Sequence, residues 1–120
     1  MNQSRILIVD DEALNLEILH EILADLYSVT RAVSGAEALE EAQKTLPDLI
    51  LLDIEMPEID GYEVCKHLKD DPLTQNIPII FVTGRVEVDD ETRGFDVGAV
   101  DYISKPYNPR IIRARVNTHL

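Results

Sequence analysis

Four short aliphatic runs punctuate the chain, at positions 6–9, 49–52, 77–82 and 99–103, and a fifth, more mixed run lies at 27–33. They are rich in Ile, Val and Leu, and the first three show no clean alternation of apolar and polar positions. Strands have this composition when both faces of their sheet are covered, as in a parallel sheet flanked by helices. Between the runs, apolar residues fall at steps of three and four: Leu16, Leu19, Leu23 and Leu26, then Ala38, Leu39 and Ala42, then Val64 and Leu68, then Val88, Thr92 and Phe95, and finally Ile112, Val116 and Leu120. That spacing marks one face of a helix. Turn chemistry separates the pieces at Ser34-Gly35, Pro47-Asp48, Met56-Pro57, Asp60-Gly61, Gly98 and Lys105-Pro106.

A strand followed by a helix, five times over, predicts right-handed βαβ units and a doubly wound α/β sheet. For 120 residues this means one domain over residues 1–120, flavodoxin-like, with strand order 2-1-3-4-5 and five helices. No linker, repeat or low-complexity stretch interrupts it.

Polar residues sit at the carboxyl ends of the predicted strands. Asp10 and Asp11 follow the first run, Asp53 the third, Thr83 the fourth, and Lys105 closes the last. In a parallel sheet these ends share one edge, with neighbouring strands about 4.8 Å apart, and ligands bind at the switch point between strands 1 and 3. Three carboxylates, a hydroxyl and an ammonium therefore converge in one crevice. Clustered carboxylates repel unless a cation or a proton joins them. An all-oxygen set suits a hard divalent ion such as magnesium, which shares phosphate oxygens with its carboxylates. A carboxylate is also a competent nucleophile toward phosphorus, and Lys105 and Thr83 are the donors a transferring phosphoryl group requires.

Composition narrows the classes further. With 11 basic against 23 acidic residues the formal charge is −12, which disfavours direct binding to nucleic acid or to an anionic membrane. The aliphatic runs are far shorter than the roughly 20 residues of a spanning helix. A single cysteine, Cys65, excludes an internal disulfide, and no charged-then-apolar leader follows Met1, so a cytoplasmic setting is expected.

Four motifs now stand in order: ILIVDDE at 6–12, DLILLDIEMPEIDGYE at 48–63, PIIFVTG at 78–84 and GAVDYISKP at 98–106. Together, over essentially the whole chain, they resemble the response-regulator receiver domains of two-component signalling, including the single-domain chemotaxis type. The resemblance implies Asp53 as phospho-acceptor. It implies a Mg2+ (or Mn2+) site with Asp11 as direct ligand, Asp10 assisting through water, and Asp53 and the Glu55 backbone carbonyl completing it. Thr83, Lys105 and the Gly84 N–H would hold phosphoryl oxygens, Tyr102 would be an aromatic switch, and the Lys105-Pro106 bond would be cis. The donor would be a histidine kinase or phosphotransfer protein. The face made by the fourth helix, fifth strand and fifth helix would signal to an output domain or effector, with a homodimer as one form of the phosphorylated state. Val100 replaces an acidic residue often found there and counts against one family dimer. Such a chain is a switch, catalysing only its own phosphotransfer and dephosphorylation, and Glu55 with Arg85 would partly screen the acyl phosphate from water.

Simpler readings compete with several of these. Asp10 and Asp11 could be helix caps, Lys105 a solvated surface lysine, and Tyr102 ordinary strand packing. Cys65, His20, His67 and His119 are expected to be structural or surface residues, and the acidic stretch at 87–91 a solvated helix start. Two other functions share the fold. An Asp-nucleophile phosphatase usually places Asp-x-Asp after the first strand, where this chain has Asp10-Asp11-Glu12. A nucleotide or flavin module would carry a glycine-rich phosphate loop, and none is present.

Overall fold

The computed structural model describes residues 3–84 and 96–120. Its elements run β1 (Arg5–Val9), α1 (Ala13–Leu23), β2 (Ser28–Ala32), α2 (Gly35–Thr45), β3 (Leu49–Asp53), α3 (Gly61–Asp70), β4 (Ile79–Thr83), β5 (Asp101–Ser104) and α4 (Pro109–His119). The five strands form one sheet in the order β2-β1-β3-β4-β5, and every neighbouring pair is parallel. Four helices lie among the described residues rather than the five expected. The helix predicted from Val88, Thr92 and Phe95 lies outside them, as do Arg85 and the acidic stretch at 87–91.

Every residue of β3 and β4 is buried, which accounts for the unbroken apolar runs. Successive side chains serve opposite faces of the sheet. Leu7, Val9, Ile50, Leu52, Ile79 and Phe81 join Ala38, Ala42, Val64, Cys65 and Leu68 beneath α2 and α3. Ile6, Ile8, Leu49, Leu51, Ile80 and Val82 join Leu16, Leu19, Ile112 and Val116 beneath α1 and α4. Two cores of this kind fix the register, because a slip by one residue would exchange them.

Caps set the helix starts. The Ser34 and Asp60 side chains accept the N–H groups of Glu37 and Glu63 at 3.1 and 3.0 Å. Asn108 accepts from Arg110 and Ile111, with Pro109 in the first turn. Some boundaries differ from the sequence expectation. The first helix stops at Leu23, leaving Leu26 exposed beyond it. Strand β4 begins at Ile79, directly after Pro78, and the Lys69 ammonium donates to the carbonyls of Gln75 and Ile77 in the preceding loop at 3.1 and 2.8 Å. The Lys69 stem also covers Gly98, whose φ of +109° suits only glycine.

Candidate functional site

The carboxyl ends of β1, β3, β4 and β5 meet at one edge of the sheet, with β3 central in the order. Asp10 leaves β1 and is 1% exposed, Asp53 ends β3 at 3%, and Thr83 ends β4 at 1%. Lys105 follows β5, where its N–H donates to the Thr83 carbonyl at 2.9 Å. The Lys105 Nζ reaches Asp10 Oδ2 at 3.6 Å and Asp53 Oδ1 at 3.5 Å. Asp10, Asp11 and Asp53 each present an oxygen within 4.8 Å of the others'. The predicted cluster of Asp10, Asp11, Asp53, Thr83 and Lys105 is thus assembled at one crevice.

Helix capping does not account for the paired aspartates. The N-cap of α1 is Glu12, with no side-chain cap bond. Asp10 Oδ1 accepts the Glu12 N–H at 2.9 Å, closing a tight turn that aims its second oxygen at Lys105. The exposed Asp11 stands at the mouth. In the same way Asp53 Oδ1 accepts the Glu55 N–H at 3.3 Å. Lys105 is far from a free surface lysine, lying between two nearly sealed carboxylates.

The remaining candidates have distinct settings. Gly84 directly follows Thr83 and is exposed, and no contact among the described residues lies within 4 Å of where a Cβ would stand. Glu55 is exposed beside Asp53. Tyr102 is buried on the α2–α3 side of the sheet, its ring 5.6 Å from that of Phe81. The Lys105-Pro106 bond is cis. Cys65 packs inside, its thiol against the Val97 carbonyl at 3.4 Å and its ionisation pushed up to about 11 by burial. His67 and His119 pair with Glu63 and Asp101, away from the crevice.

One residue at the site was missed by sequence reasoning. Tyr107 lies half-buried, with its hydroxyl 3.5 Å from Asp10 Oδ2. Burial, then the charges of Asp10 and Asp53, push its ionisation well above the ordinary phenol range. A tyrosine soon after Lys-Pro carries no chemical signal in one dimension. A groove of about 280 Å³ lined by Asn15, Ile18, Lys105, Pro106 and Tyr107 leads to this side of the crevice. A larger hollow of about 1130 Å³ lies around Arg5, Ser28, Asp48 and Pro78. Those residues belong to the opposite end of the strands, so volume does not mark the chemistry.

Charge in the crevice is unbalanced. Burial, followed by the neighbouring Asp10, raises the Asp53 pKa from 3.8 to about 7, against the opposing pull of Lys105 and the Glu55 N–H. A buried cluster that favours a proton on one carboxylate is also suited to a divalent cation, and the all-oxygen donors fit Mg2+. Asp53 binds its proton more tightly folded than unfolded. The metal-free domain should therefore lose stability as pH rises from about 4 to about 7, with the loss complete above that window. Denaturant midpoints in chelator across this range should fall by the equivalent of about 2–4 kcal/mol in the wild type and by much less in Asp53→Asn. Parallel profiles would contradict the placement of Asp53 in the cluster.

The sequence matches the response regulator receiver domain over residues 6–117. The chain belongs to this family. It is 46% identical, over 120 residues, to a Vibrio cholerae protein named as a probable cyclic di-GMP phosphodiesterase, and 41% identical over 116 residues to the response regulator PleD of Caulobacter vibrioides. These alignments cover 100% and 96% of this chain but only 27% and 26% of those relatives, so it spans about a quarter of their length. The structure of the chemotaxis protein CheY4 of Vibrio cholerae superposes with a TM-score of 0.94 at 30% identity, covering 98% of this chain and 99% of that one. The chain is a receiver domain of the two-component type, a class of switch domain whose general function is to accept a phosphoryl group and which generally binds Mg2+ at an acidic pocket. No described helix is long and apolar enough to cross a membrane.

Proposed function

We propose that Asp53 is the phospho-acceptor of a single receiver domain spanning residues 1–120. The observation that carries this is its place on the central strand. Asp53 is the carboxylate with Asp10 and Asp11 on one flank, Thr83 ending the adjacent strand on the other, and an ammonium at 3.5 Å. A carboxylate oxygen of Asp53 attacks the donor's phosphorus. The bond from phosphorus to the leaving group breaks, and the leaving group takes up a proton. Lys105, the Thr83 hydroxyl and the Gly84 N–H hold the phosphoryl oxygens where negative charge builds up. Asp11 and Asp53, the Glu55 carbonyl, and Asp10 through water would hold Mg2+ (or Mn2+), which when bound neutralises charge on the phosphoryl oxygens. Burial of Asp53 limits access of bulk water to the acyl phosphate.

The switch follows from the same residues. Thr83 drawn toward a phosphoryl group vacates space at the end of β4, and Tyr102 on the neighbouring strand responds to it. The surface of β5, α4 and the preceding segment then differs between the two states, a local charge biasing a two-state element. A histidine kinase or phosphotransfer protein would be the donor in a cytoplasmic setting. The output would be a linked domain or an effector protein, with a phosphorylation-dependent homodimer as one form. The net charge of −12 supports neither nucleic-acid nor membrane contact by this domain. In the proposed function the domain turns over no separate substrate.

Incubation with acetyl phosphate and Mg2+ should add one phosphoryl group per chain. The label should be lost at alkaline pH, as an acyl phosphate is, and should not form in excess chelator. An alkali-stable label, or labelling that is indifferent to chelator, would refute this reading.

A further inference from the structure

The geometry points to Tyr107 as a positioning residue for the Asp10 carboxylate, a role that rests on the proposed use of Asp10 at the metal. The Tyr107 ring packs against the core on the α1–α4 side of the sheet. Packing alone requires only a ring, but the phenolic O–H of a partly buried tyrosine takes a polar partner. Here that partner is Asp10 Oδ2, at 3.5 Å.

The two oxygens of Asp10 have separate duties. Oδ1 is held by the Glu12 N–H at 2.9 Å. Oδ2 faces both the Tyr107 hydroxyl and, at 3.6 Å, the Lys105 ammonium. The carboxylate is 1% exposed, so bulk water is a poor substitute for either donor. Lys105 is shared, lying 3.5 Å from Asp53 Oδ1 as well. When a phosphoryl group on Asp53 draws the ammonium to itself, Oδ2 loses its charged neighbour. The hydroxyl is neutral, sits on a packed ring and does not follow. Tyr107 thus keeps Asp10 oriented in the state in which Lys105 is engaged elsewhere. Donors that orient a metal-binding carboxylate typically matter by 10- to 100-fold in affinity. At 3.5 Å the contact is long, and the smaller effect applies.

The test is a Mg2+ titration of Tyr107→Phe, which keeps the ring and removes only the hydroxyl. The thermal midpoint in chelator serves as the fold control. The Mg2+ Kd should rise about 3- to 10-fold with the metal-free midpoint little changed. In a Lys105→Met background, where the hydroxyl is the remaining side-chain donor on Oδ2 among the described residues, the same substitution should cost more. A Kd that is unchanged or lower, or a loss that is the same in both backgrounds, would overturn the assignment. Asp10→Asn separates the two levels. If it leaves Mg2+ affinity intact, the metal role of Asp10 fails. If it weakens Mg2+ binding while Tyr107→Phe does not, only the role of Tyr107 fails.

Discussion

A Lys105→Met protein should be phosphorylated by acetyl phosphate about 10²- to 10³-fold more slowly than the wild type at saturating Mg2+, the usual cost of removing one donor from a developing oxyanion. The same substitution should tighten Mg2+ binding. Lys105 is the cation set against three carboxylates, 3.5 Å from Asp53 and 3.6 Å from Asp10. Without it, more uncompensated negative charge faces an incoming divalent ion. Slower chemistry with tighter metal is a combination that simple unfolding would not give. Phosphorylation rates across a Mg2+ titration, with a parallel Kd measurement, check both halves. A rate within a few-fold of wild type, or a weakened Kd, would show that Lys105 is not in the site as described.

Gly61→Ala should carry the largest stability cost of any conservative change near the site. Gly61 opens α3 directly behind the acceptor, its N–H donating to the Ile54 carbonyl at 2.9 Å. A Cβ there would stand 2.5 Å from the Asp53 carbonyl oxygen and 2.7 Å from Ile54 Cα. Both are backbone atoms, so the start of α3 must lift away from the end of β3. Overpacking of this kind costs about 3 kcal/mol, or a fall of about 10 °C in Tm for a domain of this size. Because the contact is with Asp53 itself, phosphorylation should also slow in the fraction that remains folded. Gly84→Ala is the matched control. With no contact among the described residues within 4 Å of a Cβ there, its stability should stay within about 0.5 kcal/mol of wild type. Thermal unfolding of the two proteins decides the matter, and equal midpoints would contradict the close approach at Gly61.

Much of this arrangement is legible in the sequence. The strand order could be anticipated because five strand–helix repeats in 120 residues suit the flavodoxin-like arrangement, and the apolar runs at 49–52 and 77–82 marked strands buried on both faces, as β3 and β4 are. The site was legible because a parallel sheet gathers strand ends. Asp10, Asp53, Thr83 and Lys105 needed only the β2-β1-β3-β4-β5 order to converge. Less visible were features set by individual side-chain contacts. The loop before β4 is tied to Lys69, whose ammonium takes the carbonyls of Gln75 and Ile77 six and eight residues further on, and neither composition nor periodicity records it. Leu26 fits the helical spacing, yet α1 ends before it, at Leu23. The sequence favours Asp10 as a site residue over a cap because Asp53 and Lys105 fall at matching strand ends, and the structure agrees, with Glu12 at the N-cap position. Tyr107 was overlooked because its partner lies 97 residues away in the chain.

Phosphorylation at Asp53 is tested most directly by chemical mapping. The wild-type domain would be incubated with acetyl phosphate and Mg2+, reduced with borohydride to convert any aspartyl phosphate to homoserine, digested and sequenced by mass spectrometry. Homoserine is expected at position 53 alone, and Asp53→Asn, verified as folded, should yield none. Homoserine at Asp10 or Asp11 in place of Asp53, or wild-type stoichiometry of labelling in Asp53→Asn, would contradict the assignment.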